Sequence, residues 1–159
     1  GTRSGAIDPS IIEYVCGETG KTVGEITNEL NKKSGYLGVS GYSDSRDVEN
    51  AAAEGNEDAL LAITMYNNRI AKYVADYYIE LEGKVDAIVF TAGVGENDIY
   101  MREVICQELG NLGIKLDVVK NKVRGKETII SRDDSKVKVL LIPTNEELMI
   151  AKDTERLTK

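Results

Sequence analysis

The chain has 159 residues, 42% of them hydrophobic and 30% charged, a length and apolar content that predict one domain with a buried core and exclude disorder. Its formal net charge of -7 opposes broad binding to nucleic acid or to an anionic membrane, because such binding relies on basic patches that release counterions. Histidine is absent, which removes Ser-His-Asp and Cys-His chemistry and the common histidine metal sites, so catalysis here must use carboxylates, arginine and backbone donors, with or without a metal.

In chain order, Asp8-Pro9 reads as an N-cap followed by proline at the first helical position, opening a helix through about Val15. Thr22 with Glu25 makes a capping box for a second helix that ends near Lys33. A short helix runs from Asp47 to Ala53, and a long one starts near Asn56 and continues to about Leu81. Its inward face is predicted as Leu60, Ile63, Ile70, Val74, Tyr77 and Leu81, with Tyr73, Tyr77 and Tyr78 packed. An apolar strand over residues 85–90 leads into TAGVGEN, and a helix over 99–112 follows, with Tyr100, Val104, Ile105, Leu109 and Leu112 inward. Short strands are expected at 114–116 and 128–131, and a clearer one at 136–142. The last helix starts at Pro143-Thr-Asn and runs to about Leu157.

Strands alternating with helices imply an α/β fold with a mainly parallel sheet, whose ligands gather at the carboxyl ends of the strands. TAGVGEN and PTNEE both fall at such ends. Cys16 and Cys106 lie inside helical patterns, far from any CxxC spacing, which suits reduced core thiols in a cytosol. With no leader pattern and no long apolar run, the expectation is a soluble cytoplasmic protein that binds neither nucleic acid nor membrane.

Four segments can carry chemistry, and each has an ordinary structural reading beside it. Arg3, flanked by small residues, suits a carboxylate or phosphate through its planar fork, although a lone terminal arginine is usually just solvated. Asp44, Ser45 and Arg46 precede a helix, where Asp44 or Ser45 can be only a cap. The stretch Gly93, Val94, Gly95, Glu96, Asn97 and Asp98 puts Asp where a dinucleotide fingerprint needs its third glycine, and no Gly-Lys-Ser/Thr follows. It is neither a Rossmann nor a Walker A loop. Two glycines there permit a ligand to approach the backbone, or make a tight turn, and Asn97 or Asp98 can cap the next helix. In Thr144-Asn145-Glu146-Glu147, an N-cap at Thr144 makes Glu147 the partner of a capping box and leaves Glu146 as the candidate Mg²⁺ ligand, direct or through water.

Together these strings resemble one family. GTRSG followed by Asp8-Pro9, LNKKSG, GVSGYSDSRDV, AAAEGNEDA, IVFTAGVGEN, VRGKE and IPTNEELMIAKDT are similar, in order and along the whole chain, to acetate kinase sequences. The resemblance takes in only the C-terminal part of that family's longer chain. It implies an actin-like, ribonuclease H-type α/β lobe, with residues 1–159 forming an incomplete C-terminal nucleotide-binding lobe, and it places the family's active-site histidines upstream. The implied reaction is Mg²⁺-dependent phosphoryl transfer between ATP and acetate, giving ADP and acetyl phosphate. Carried over by motif, Arg3 would stabilise the transferring phosphoryl group, and Asp44, Ser45 and Arg46 would form part of the adenine and ribose site. Gly93, Val94, Gly95, Glu96 and Asn97 would line the adenosine pocket, and Glu146 would help hold Mg²⁺. The chain departs from the family at Ala6, where Asp is usual, and at Ser45, where an apolar residue is usual. The resemblance also implies a homodimer in the full-length enzyme, and an inactive fragment when this chain stands alone. The alternatives are a related butyrate or propionate kinase, and a non-catalytic nucleotide-binding module.

Overall fold

Helix starts in the computed structural model, which describes residues 1–159, follow from short polar side chains that satisfy the first free N–H groups. Asp8 Oδ1 accepts from both the N–H and the hydroxyl of Ser10, at 2.9 and 2.6 Å, at the start of α1 (Ser10–Thr19). Pro9 occupies the N-cap position, and the helix continues four residues beyond Val15 until Gly20 closes it. Helix α2 (Val23–Lys32) has the expected capping box: Thr22 accepts from the Glu25 N–H, and Glu25 returns a bond to the Thr22 N–H at 2.8 Å. A Thr22→Ala variant is therefore expected to lose about 1 kcal/mol in urea unfolding, with Thr22→Ser retaining most of it; an alanine variant as stable as wild type would show that the box contributes nothing.

The chain continues through α3 (Gly35–Ser40), α4 (Ser45–Ala53) and the long α5 (Glu57–Glu80). Residues 35–40 were not expected to be helical. Strand β1 (Ala87–Phe90) follows, then α6 (Ala92–Asn97), α7 (Ile99–Glu108), a single 3₁₀ turn at Gly110–Leu112, β2 (Thr128–Ile129), β3 (Lys138–Leu141) and α8 (Glu146–Thr158). None of the helices is long and apolar enough to cross a membrane.

Two compact units result, Gly1–Tyr66 and Asn67–Lys159. In the first, Val48 and Ala51 of α4 bury against Ala59, Ala62 and Ile63 of α5, with Tyr36 and Val39 packed on them. The second is built on a three-stranded sheet of order β1-β3-β2. β1 and β3 are parallel, with Phe90 opposite Leu141, and β2 is antiparallel to β3. The sheet is thus mixed rather than mainly parallel. The expected strand at 114–116 is reduced to single bridges, Ile114 with Val137 and Leu116 with Ser131. Val139 and Leu141 of β3, Phe90 of β1 and Met101, Ile105, Cys106 and Leu109 after it form the core of this unit. Burial pushes the Cys106 thiol up to about 12, so it is an inert core group.

The buried face of α5 agrees with the expected one at Ile63, and at Ile70 and Val74, which pack against the core of the second unit, but differs from it elsewhere. Ala59, Ala62, Ile63 and Ala71 are buried, whereas Leu60, Tyr77 and Leu81 are 50%, 65% and 54% exposed. Tyr73 is exposed too, and Tyr78 alone of the three later tyrosines packs against the core. The residues 59, 62, 63 and 71 also follow the three-four spacing, and alanine permits closer packing than the bulky alternative. Along α7, Ile105 and Leu109 are buried as expected, but Tyr100 is 52% exposed and its inward place is taken by Met101 and Arg102.

Candidate functional site

The candidate residues fall in both units, and each set is held by local structure. In the first unit, residues 1–4 are stitched to the end of α2 and the start of α3. The Ser4 N–H donates to the Leu30 carbonyl at 2.8 Å, Ser34 N–H to Thr2 O at 2.9 Å, and Leu37 N–H to Gly1 O at 2.9 Å. The Thr2 hydroxyl adds a bond to Asn31 O. Arg3 therefore projects an exposed side chain from a fixed backbone. Gly35 makes this possible. It adopts φ +62°, and a Cβ there would stand 2.8 Å from the Arg3 carbonyl oxygen and 3.2 Å from its nitrogen.

Asp44 caps α4, accepting from the Arg46 N–H at 2.9 Å. It also takes the Arg46 guanidinium in two bonds, Nε to Oδ1 at 3.0 Å and Nη2 to Oδ2 at 2.7 Å. That side-chain pairing, helped by the backbone N–H, holds the Asp44 carboxyl at about 2. Ser45 is the first helical residue and is half-buried. This turn lies beside the N-terminal segment, since a Cβ on Gly1 would come within 2.7 Å of the Ser43 carbonyl oxygen. The chain's first residue and the residue before the capped turn are thus neighbours within the unit. The cap and the pairing account for Asp44 structurally, while the Arg46 side chain stays 83% exposed with its ion pair on one edge.

In the second unit, TAGVGEN and PTNEE leave the carboxyl ends of adjacent parallel strands, as expected. The first is not a loop. Ala92 takes a left-handed φ of 58°, and the chain turns directly into α6. A non-glycine residue in that region costs roughly 1 kcal/mol, so local strain falls on the alanine. The two glycines serve differently from each other. Gly95 is buried where a Cβ would stand 3.3 Å from the Phe90 carbonyl carbon, so it lets α6 lie against the end of β1. At Gly93 a Cβ would meet nothing within 4 Å, and Gly93 and Val94 are exposed. Asn97 Nδ2 donates to Gly93 O at 2.8 Å, and Asp98, not Asn97, caps α7 by accepting from Met101 N–H at 2.7 Å.

Glu96 is engaged within the protein. Its Oε1 accepts from the Thr144 N–H at 2.8 Å and from the Thr144 hydroxyl at 2.9 Å. Those two donors, the backbone one first, hold its carboxyl below the usual range, and the Ala92 N–H adds to them. Thr144 is consequently not a helix cap. Asn145 is, accepting from Leu148 N–H at 3.0 Å, so Glu146 and Glu147 become the first two residues of α8 and the expected capping box does not form. Glu146 remains exposed, with neither hydrogen bond nor ion pair. No group of three or more His, Cys, Asp or Glu side chains gathers anywhere in the chain. That donor set still fits Mg²⁺, which commonly takes one or two carboxylates and fills its other positions with phosphate oxygens and water.

Two residues that shape this site carried no motif. Arg102, fully buried on α7, donates Nη1 to the Gly95 carbonyl at 2.8 Å, Nε to Asn121 Oδ1 at 2.8 Å, and Nη2 to the carbonyls of Asn121 and Val123 at 3.0 and 2.8 Å. Asn121, also fully buried, returns Nδ2 to Ile99 O at 3.0 Å. All of these acceptors are neutral, and burial pulls the guanidinium below its ordinary value. The signal was present in the spacing, because positions 102, 105, 106 and 109 share one helical face.

A sequence model described as the acetokinase family matches residues 1–152. An acetate kinase of Treponema denticola is 57% identical over 100% of this chain and 40% of its own. One of Geobacillus kaustophilus is 56% identical over 99% of this chain and 40% of its own. Among solved structures, Porphyromonas gingivalis acetate kinase superposes with a TM-score of 0.92 at 48% identity, covering 99% of this chain and 40% of that one. A propionate kinase of Francisella tularensis gives 0.87 at 49%, covering 94% and 38%. The likeness to these kinases bears out the actin-like α/β fold, and the chain spans about 40% of the length of the curated relatives it matches.

Proposed function

The chain belongs to the acetokinase family, and from that premise we infer that it supplies the nucleotide-binding lobe of an enzyme that phosphorylates acetate with ATP. The observation that carries this reading is the match along the chain, at 57% identity, of a segment that sets two candidate turns side by side at the ends of β1 and β3. In the reaction, an acetate oxygen forms the new bond to the γ-phosphorus while the bond to the β-phosphate oxygen breaks and ADP leaves. Such transfers need alignment and neutralisation of charge spreading over the phosphoryl oxygens rather than covalent chemistry from the protein. Arg3 is proposed to donate its guanidinium to that group. Asp44, Ser45 and Arg46 contribute to the adenine and ribose site, and Gly93, Val94, Gly95, Glu96 and Asn97 to the adenosine pocket, with Glu96 lining it through its backbone because its carboxylate is engaged by Thr144. Glu146 is the protein carboxylate for Mg²⁺, which when bound neutralises the phosphates. The exposed Leu60, Leu61, Met65 and Tyr77 of α5 are consistent with a homodimer of the full-length enzyme.

The test is direct. Purified residues 1–159 should show a thermal upshift with ATP or ADP and Mg²⁺, and should form no acyl phosphate from ATP and acetate when trapped with hydroxylamine. No shift at millimolar nucleotide would remove the nucleotide role, and turnover by this chain alone would remove its dependence on the rest of the enzyme. The 49% identity to a propionate kinase gives the second reading, a related acyl kinase of the same architecture. Comparing acetate, propionate and butyrate in the full-length enzyme decides between them, and the gene sequence on both sides of residues 1–159 places the segment within it.

A further inference from the structure

α8 contributes no buried residue, so packing of its own side chains does not fix how it leaves the sheet. Thr144, Asn145 and Glu146 are exposed as well. On the chain side, the last bond holding this stretch is Ile142 N–H to Phe90 O at 3.0 Å. Beyond it, the tie that reaches the start of α8 from elsewhere in the unit is the double donation of Thr144 to Glu96 Oε1, between residues 48 apart in sequence.

The acceptor stands on a fixed platform. The residue before it, Gly95, is buried against Phe90, and its carbonyl is held by the fully buried Arg102. A carboxylate on such a support can orient a flexible segment, because two donors on one residue fix both its position and its rotation, and charge-assisted bonds are the stronger kind. Asn145 follows Thr144 and caps α8, and Glu146 is its first helical residue.

We propose that Glu96 is a positioning residue, whose carboxylate locks Thr144 and thereby fixes the Asn145 cap and the place of Glu146 at the start of α8. The order of action is Arg102, Gly95, Glu96, Thr144, Glu146. Its consequence for ligand binding rests on the reading of Glu146 given above, and differs from what a direct contact of Glu96 with adenosine would produce. A ligand contact would contribute to nucleotide affinity with or without metal. A positioning group acts through Glu146, so its loss weakens mainly the metal-dependent part.

Two measurements on residues 1–159 test this, using Glu96→Ala, Glu96→Gln and Thr144→Val. In amide exchange by NMR, Glu96→Ala should raise the Thr144 exchange rate about tenfold or more, while Glu96→Gln, which keeps an acceptor oxygen, retains part of the protection. In titrations with ADP, the affinity gained on adding Mg²⁺ should fall about tenfold in Glu96→Ala and by less in Glu96→Gln, with metal-free ADP affinity reduced less than the Mg²⁺-ADP affinity. Thr144→Val, which leaves the carboxylate in place, should lower the same metal-dependent gain. Unchanged Thr144 exchange in Glu96→Ala overturns the proposal. Equal losses with and without metal overturn it too, and make Glu96 a ligand contact. If the wild-type chain binds no nucleotide, the functional reading fails, and the Thr144 exchange rates alone then decide whether Glu96 fixes the turn.

Discussion

Arg102→Ala is expected to destabilise the chain by roughly 3–5 kcal/mol, lowering the unfolding midpoint by about 10 °C. The side chain is fully buried and makes four hydrogen bonds, all to neutral oxygens and none to a carboxylate. Two effects compete. Desolvating a guanidinium is unfavourable, and a buried charge can often be exchanged for an apolar residue of similar volume at little cost. That exchange works only when the partners are replaced as well. Here they are three backbone carbonyls, of Gly95, Asn121 and Val123, and the Asn121 amide oxygen, and three of those four cannot be removed by any substitution. Each buried acceptor left without a donor costs about 1–3 kcal/mol, which outweighs the relief of desolvation. Arg102→Met separates this from simple loss of volume. It should remain at least 2 kcal/mol less stable than wild type in urea unfolding, roughly in line with the loss of two or more such bonds. A methionine variant within about 1 kcal/mol of wild type would mean that packing, not hydrogen bonding, is what Arg102 provides.

What could be read from the residues, and what could not, follows the range of the forces involved. The Thr22–Glu25 box, the Asp98 cap and the apolar runs of β1 and β3 depend on neighbours within four positions, so their signals are complete in a short window. The placement of both candidate turns at strand ends follows from them. Features set by distant partners were hidden. Residues 35–40 contain two glycines and carry no helix signal in the sequence, yet they are helical, and the N-terminal segment bonds to Ser34 and Leu37. AGVGEN reads as an open loop for the same compositional reason, and becomes α6 because Gly95 fits against Phe90. Thr144 and Asn145 are both good caps by type. The choice between them is made by Glu96, which takes the donors of Thr144. On α5 the buried positions are largely alanines, Ala59 and Ala62 in the cluster with Val48 and Ala51 of α4 and Ala71 in the core of the second unit, while the bulkier Leu60 and Tyr77 stay exposed.

Gly35→Ala is expected to have the largest effect on catalysis of any change at a residue that carries no reactive group. The added Cβ would stand 2.8 Å from the Arg3 carbonyl oxygen, 3.2 Å from the Arg3 nitrogen and 3.3 Å from the Gly1 carbonyl carbon. All three are backbone atoms, so no side chain can swing aside. At φ +62° alanine also loses roughly 1–2 kcal/mol against glycine. Relief requires residues 1–3 to shift, which strains the Ser34–Thr2 and Leu37–Gly1 hydrogen bonds, each worth about 1 kcal/mol. A total near 3 kcal/mol is expected in urea unfolding. The functional cost is separate. If Arg3 stabilises the transferring phosphoryl group, a displacement approaching 1 Å should reduce kcat of the full-length enzyme by roughly 100-fold. Nucleotide KM reports any strain passed on to the Asp44–Arg46 turn, which lies beside residue 1, so the split between kcat and KM separates that route from the aiming of Arg3. A double-mutant cycle with Arg3→Ala isolates the route. If Gly35 acts through Arg3, adding Gly35→Ala to Arg3→Ala lowers kcat little further, whereas two independent effects would multiply. Full multiplication, or an unchanged kcat in a folded Gly35→Ala enzyme, would leave Gly35 as a structural glycine with no part in aiming the arginine.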